Sequence, residues 1–200
     1  MGNIIRTATI FITVFVSILT ATDTLQVDLV NSQIKWIGRK VTGEHSGTLN
    51  LSEGWVEMEK NMVSGGKLVF DMASITNTDI EYPGWKQNLE DHLKSEDFFH
   101  VDSFTYAVLE INGSQLLIVE NAKKSLQILA DLTIRGKTHE IKFPFDITRS
   151  ENILTGEGSV DIDRTLYNIK YKSDKFFEEL GDKLIYDDFT VQFNIQTWVK

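Results

Sequence analysis

From residue 24 onward the chain alternates between apolar and polar positions. Leu126, Ile128, Ala130, Leu132 and Ile134 recur at every second place, with Gln127, Leu129, Asp131, Thr133 and Arg135 between them. After Gly136 and Lys137 the pattern resumes with Ile141, Phe143, Phe145 and Ile147. Side chains of a strand point to opposite faces in turn, so these two runs predict a β-hairpin turning at Gly136 and Lys137. Leu154, Val160 and Ile162 share a phase, with Gly156 and Gly158 between them. Phe189, Val191, Phe193 and Ile195 oppose Gln192, Asn194 and Gln196. Alternation of this kind marks strands with one dry face and one wet face.

The first half reads the same way with more glycine. Its candidate strands are residues 24–29, 34–42, 48–59, 67–75, 104–111 and 115–120. Gly43, Gly47, Gly54, Gly65 and Gly66 stand at breaks or inside long strands, where glycine permits bulges and sharp coiling. The only prolines are Pro83 and Pro144, so few strands are obstructed. About nine or ten strands predict an all-β chain, and closing them into an antiparallel barrel removes exposed edges. Two stretches depart from the pattern. In residues 83–95, Trp85, Leu89 and Leu93 are four apart behind a first-turn Pro83, the mark of a short amphipathic helix. Residues 174–180 carry Phe176, Phe177 and Leu180 ahead of Gly181, which predicts a second. Either helix could lid a barrel mouth or simply connect strands.

The N-terminus is of another kind. Residues 8–19, ATIFITVFVSIL, are uncharged and largely apolar, and small residues follow around Ala21. A bilayer span takes roughly 20 residues, so this run has the length of a signal-peptide core. The expected organisation is a signal peptide at residues 1–22 and one barrel domain at residues 23–200. An uncleaved anchor is the alternative; a buried core helix fits less well. Cleavage removes Arg6 and takes the net charge from −9 to −10. An acidic surface repels phosphate backbones and anionic headgroups, which argues against nucleic-acid binding and electrostatic membrane docking. The chain has no cysteine, hence no disulfide, thiolate nucleophile or acylated anchor. After cleavage no stable membrane insertion is expected, and the compartment would be periplasmic or extracellular.

Candidate chemistry is sparse. His45, His92, His100 and His139 include no HxH or HExxH pair, so each reads as a surface or satisfied histidine rather than a metal ligand. No GxSxG elbow or phosphate-cradling loop occurs, and Ser32 with Lys35 and Ser64 with Lys67 lack the motifs that give Ser-x-x-Lys its meaning. Asp91, Glu96 and Asp97 cluster near the first helix, as a solvated helix end would. No catalytic residue, metal or cofactor is indicated. What stands out is the supply of 12 Phe, 5 Tyr and 4 Trp, more rings than a tightly plugged small barrel needs. A lined interior that encloses a lipid chain and a fully packed core both remain open.

Several segments in order carry a resemblance. They are Trp36-Ile37-Gly38-Arg39-Lys40, Gly43-Glu44-His45-Ser46-Gly47, Phe70-Asp71-Met72 with Ser74-Ile75, and His92-Leu93-Lys94-Ser95-Glu96-Asp97-Phe98-Phe99. Downstream stand Ala130-Asp131-Leu132-Thr133-Ile134-Arg135-Gly136-Lys137-Thr138, Asp163-Arg164, and Tyr171-Lys172-Ser173 with Phe176-Phe177. From about residue 25 to the C-terminus the chain resembles the YceI-like family. The resemblance implies a lipocalin-like antiparallel barrel, usually exported, with members that bind polyisoprenoid lipids and no general catalytic activity. It also implies that residues 92–99 cover one end of the barrel. The neighbourhood of Phe104-Thr105-Tyr106 departs from the family in lacking a proline.

The expected function is therefore an exported protein that sequesters or carries a polyisoprenoid or similar apolar molecule. The inward-phase residues Trp36, Phe70, Met72, Ile128, Leu132, Phe143, Phe145, Ile162 and Phe193 would line the site, with Phe98, Phe99 and Phe176 near its opening. A non-catalytic stress-related or structural module with a filled barrel is the alternative, favoured by an exposed apolar patch away from the mouth. A lipid hydrolase or isomerase would need a polar cluster inside the cavity, for which His92 beside Asp91 or Asp97 is the only seed. A homodimer suits small barrels but has no signal in the chain.

Overall fold

The computed structural model describes residues 22–120 and 123–198; the apolar run at residues 8–19 and the proposed cleavage region around Ala21 lie outside the described residues. Among the described residues there are nine strands: β1 (Asp23–Gln26), β2 (Gln33–Lys40), β3 (Gly43–Glu59), β4 (Met62–Asn77), β5 (Tyr106–Glu120), β6 (Lys123–Ile134), β7 (Lys137–Ser150), β8 (Ile153–Asp163) and β9 (Ile185–Trp198). One helix, α1 (Pro83–Lys94), stands between β4 and β5. From β2 to β9 each strand pairs antiparallel with the next, and β9 returns to β2. Eight strands thus close into a lipocalin-like barrel. β1 prolongs the lane of β2 along the far half of β3, and Val27 bridges to Thr197. The turn between β1 and β2 is held by Asp28, whose Oδ1 accepts from the backbone N–H groups of Val30 and Asn31, both at 3.1 Å.

The central hairpin follows the alternation, with Leu126, Ile128, Ala130, Leu132 and Ile134 all buried. Its turn lies one residue earlier than expected. Ile134 pairs with Lys137, so Arg135 and Gly136 make the bend, with φ of 49° and 68°. Two successive positive φ values match the right-handed twist of the flanking strands, and this is why a glycine stands there. Residues 104–111 and 115–120 are not separate strands but one, β5, whose register against β6 shifts between Ile111 and Gly113. In β3 the neighbours Ser52 and Glu53 are both exposed, and the inward phase passes from Leu49 and Leu51 to Gly54 and Val56. One extra residue in a strand swaps its faces, which a period-two reading alone does not locate.

Both ends of the barrel need closing, and they are closed differently. Short connections between β3 and β4, and between β7 and β8, finish one end. The other carries α1 and the segments 95–105 and 164–184. Pro83 opens α1, and the helix buries Leu93 and Glu90, whose Oε1 accepts from the Asn77 N–H at 2.8 Å. Trp85 faces outward instead, 70% exposed. The second helix expected at residues 174–180 is absent. Phe176 and Phe177 donate their N–H groups to the Ser173 carbonyl, Glu179 has φ of 57°, and Gly181 opens a short 3₁₀ turn rather than ending a helix. Both rings are about half exposed, so no buried face supports a segment too short to be helical alone.

Candidate functional site

The inward faces of the strands do not meet at the barrel axis. Beneath the α1 end they leave a cavity of about 170 Å³. A second cavity, of about 50 Å³, lies toward the hairpin end. Leu109 and Phe193 belong to the walls of both and form the waist between them. Phe193 is braced there by Phe143, with ring centroids 5.4 Å apart.

Eight of the twelve expected lining residues border the upper cavity: Trp36, Phe70, Met72, Phe98, Phe99, Leu132, Ile162 and Phe193. Ile128, Phe143 and Phe145 border the lower one, together with Phe193. Phe176 borders neither; its ring is 46% exposed beneath the ammonium of Lys170, 4.9 Å from the centroid. The upper wall also includes Ile34, Leu49, Ile75, Leu89, Phe189 and Val191, which were not singled out from the sequence. Ile34, Phe189 and Val191 share strand phase with residues that were, so alternation carried their signal. Ile75 did not follow it, because β4 changes phase between Met72 and Ile75, both buried.

Local geometry fixes the aromatic wall. The indole of Trp36 lies against Gly47, where a Cβ would come within 2.6 Å of the ring and 1.7 Å of the Thr76 carbonyl oxygen. That close approach lets Trp36 Nε1 donate to the same carbonyl at 3.1 Å. Phe98 and Phe99 come from the segment after α1 and pack edge to face, 5.8 Å apart. The hairpin turn holds this segment down, since Arg135 Nη1 donates to the Phe98 carbonyl at 2.8 Å and to that of Asn168 at 3.1 Å. Arg135, read from the alternation only as a polar strand position, thus ties both capping segments to the barrel.

Polar groups on the upper wall fall into two sets. Arg39, Lys40, His45, Tyr186 and Asp188 stand where β2, β3 and β9 end, at the rim. Arg39 donates to Thr190 Oγ1 at 2.8 Å, and His45 Nδ1 meets Asp79 Oδ2 at 2.9 Å. Arg164, which is buried, and His92, which is partly buried, line the same wall. The Arg164 guanidinium is 2% exposed and donates to the carbonyls of Ile169, Ile185 and Tyr186 at 2.8–3.1 Å, with its centre 5.7 Å from the Phe98 ring. Nearby, burial pushes the Tyr167 hydroxyl up to about 12.

His92 is not the surface or satisfied histidine expected. It lines the upper cavity, with its ring edge to face against Tyr171 at 4.4 Å and Phe98 at 5.3 Å. Its Nε2 is buried and has no hydrogen-bond partner among the described residues. Burial draws its pKa below the ordinary imidazole value; Asp97 opposes this and Lys172 adds to it. Asp91 and Asp97 are exposed, and Asp91 accepts from Gln87 Nε2 at 2.7 Å. Neither carboxylate joins His92 in the cavity wall. Among the described residues no three His, Asp or Glu side chains are grouped to hold a metal ion.

Comparison with known proteins places this geometry. Among solved structures, Burkholderia cenocepacia BcnA superposes with a TM-score of 0.67 at 16% identity, covering 85% of this chain and 98% of BcnA. A polyisoprenoid-binding domain from Saccharophagus degradans, implicated in plant cell wall breakdown, gives 0.64 at 14% identity, covering 88% and 98%. A Campylobacter jejuni YceI protein gives 0.51 at 14% identity, covering 82% and 84%. At these identities the likeness establishes the fold alone. No functionally curated protein matches the chain in sequence. The model of the YceI-like domain matches residues 25–197, so this chain belongs to the YceI-like family.

Proposed function

We propose that the protein is a carrier that encloses a polyisoprenoid or similar long apolar molecule and shields it from water in a periplasmic or extracellular space. The observation that carries this reading is the pair of apolar cavities meeting at one waist inside the barrel. A barrel of eight strands can be filled by its own side chains, and here it is not. The driving force is transfer of the tail from water, about 0.8 kcal/mol for each methylene buried. The Saccharophagus relative, described as polyisoprenoid-binding, supports the ligand class. Export rests on the apolar run at residues 8–19, with a mature domain beginning near residue 23. The role is binding, the reading that membership of the YceI-like family supports.

Native mass spectrometry of protein purified from its own host, followed by organic extraction, tests the proposal. A stoichiometric isoprenoid is expected. A clean ligand-free mass, with no uptake of added polyprenols, would overturn it.

One observation favours a second reading, an interaction module. β4 pairs with β5 only as far as Ile111, and beyond it Leu116, Leu117 and Ile118 are 51–61% exposed, away from the capped end. Consecutive exposed aliphatics of this kind mark contact surfaces. Charged substitutions at Leu116 and Ile118 would abolish a partner complex while leaving lipid uptake intact.

A further inference from the structure

The upper cavity is apolar except at its rim and at the side chains of Arg164 and His92. Of those two, Arg164 is fully engaged with three backbone carbonyls and is not free for a ligand. His92 is the opposite case. Tyr171 and Phe98 clamp its ring, while its Nε2 is buried without a partner among the described residues. Buried polar atoms in folded proteins are nearly always hydrogen-bonded, so an orphan on a cavity wall marks a place where something else completes the bond. The lower cavity has one such atom, Thr197 Oγ1, at the opposite end of the barrel.

We infer that His92 Nε2 hydrogen-bonds the uncharged polar end of the ligand, so that the protein takes amphiphiles with an alcohol, carbonyl or amide head, tail pointing toward the waist. The inference deepens the carrier reading and rests on it. Position sets the orientation. His92 projects from α1, at the capped end where the rim residues lie, whereas the waist of Leu109 and Phe193 lies farther in. Chemistry sets the class of head. A carboxylate or phosphate seated on Nε2 would exchange its hydration for at most a single N–H, since the buried Arg164 is already engaged with three carbonyls and with Asp187 at 3.5 Å. Burial also lowers the His92 pKa and so favours the neutral imidazole, whose Nε2 can accept from an alcohol or donate to a carbonyl according to its tautomer.

The test compares two probes with one tail, geranylgeraniol and the hydrocarbon of the same skeleton, by displacement of a fluorescent lipid from the full protein. The wild type is expected to prefer the alcohol by about threefold to tenfold, the range of one net hydrogen bond. His92→Phe fills the same space without the nitrogen and should abolish the preference by weakening the alcohol alone. His92→Gln places an amide near the position of Nε2 and should retain part of it, which keeps the test open if the phenylalanine variant folds poorly. Thr197→Val should change nothing. Equal binding of the two probes by the wild type would overturn the inference and leave the carrier reading standing. So would a preference that survives His92→Phe, or one removed by Thr197→Val, since that would put the head at the other end. Failure of both probes to bind would overturn the carrier reading and this inference with it.

Discussion

The two halves of the barrel interior are built by the same strands yet differ in how they are closed. Toward the hairpin end, Phe143, Phe145 and Ile147 crowd the axis, and the Phe145 ring lies where a Cβ on Gly156 would meet it at 2.3 Å. Little room remains there, about 50 Å³. Under α1 the strands are roofed by segments 95–105 and 164–184, which carry their own buried residues and leave about 170 Å³. Tight turns bring no extra side chains and let the strands fill their own end. Long connections bring a roof whose Phe98, Phe99, Tyr167 and Ile169 join the hydrophobic core, and hydrogen bonds from Arg135 and Arg164 to backbone carbonyls pin it above the remaining space. The capped half therefore holds most of the open space, and the hairpin half is the tightly packed frame.

The largest test of this contrast is Arg164→Leu. Removing a buried cation that satisfies three carbonyls should cost about 3–5 kcal/mol, read by urea unfolding. Hydrogen exchange should rise in residues 164–184 while the β5–β6 and β7–β8 ladders stay protected at their hairpin ends. Uniform loss of protection would mean that roof and frame unfold as one. Phe193→Leu should cost about 1–2 kcal/mol and open the waist, so the preferred ligand tail should lengthen. An unchanged length optimum would show that the two cavities are not used in series.

A smaller effect should appear with pH. Burial lowers the pKa of His92 in the folded protein, with Asp97 and Lys172 the charged groups acting on it. The unfolded chain then binds a proton more readily than the folded one, so stability should be complete above about pH 6.5 and fall as pH drops through the folded value. Thermal unfolding between pH 7 and 5 should show this slope, and His92→Phe should flatten it. The smallest effect is expected from Trp85→Gln on the outward face of α1. A shift within about 0.5 kcal/mol and unaltered ligand binding would place that ring outside the roof's packing. A larger one would mean that its edge-to-face contact with Tyr82, 5.3 Å between centroids, steadies the helix start.

Much of this molecule was legible in its sequence, for a local reason. Strand side chains alternate because the backbone is pleated, so any strand with one dry face writes its inward set into every second residue. Leu126 to Ile134, Phe143 and Phe193 were readable in this way, as was α1 from its spacing of four behind Pro83. Where the ladder inserts a residue, the rule loses phase. Ile75 and the β3 change at Ser52 and Glu53 were therefore invisible, since the bulge is set by pairing with another strand. Residues 174–180 failed for a related reason: helical spacing is necessary, but only a surface to pack on makes so short a helix stable, and none is present there.

Composition, alternation and order of motifs together determined an all-β barrel with an apolar interior and a family to which it belongs. They did not determine whether that interior is hollow. That depends on how far the rings of Phe143, Phe145 and Phe193 reach across the axis and on what roofs the open end, quantities that involve residues distant in the chain. The isolation of His92 Nε2 is of the same kind. A histidine's partners are those the fold brings to it, and the packing of α1 against Tyr171 and Phe98 left this Nε2 without any among the described residues.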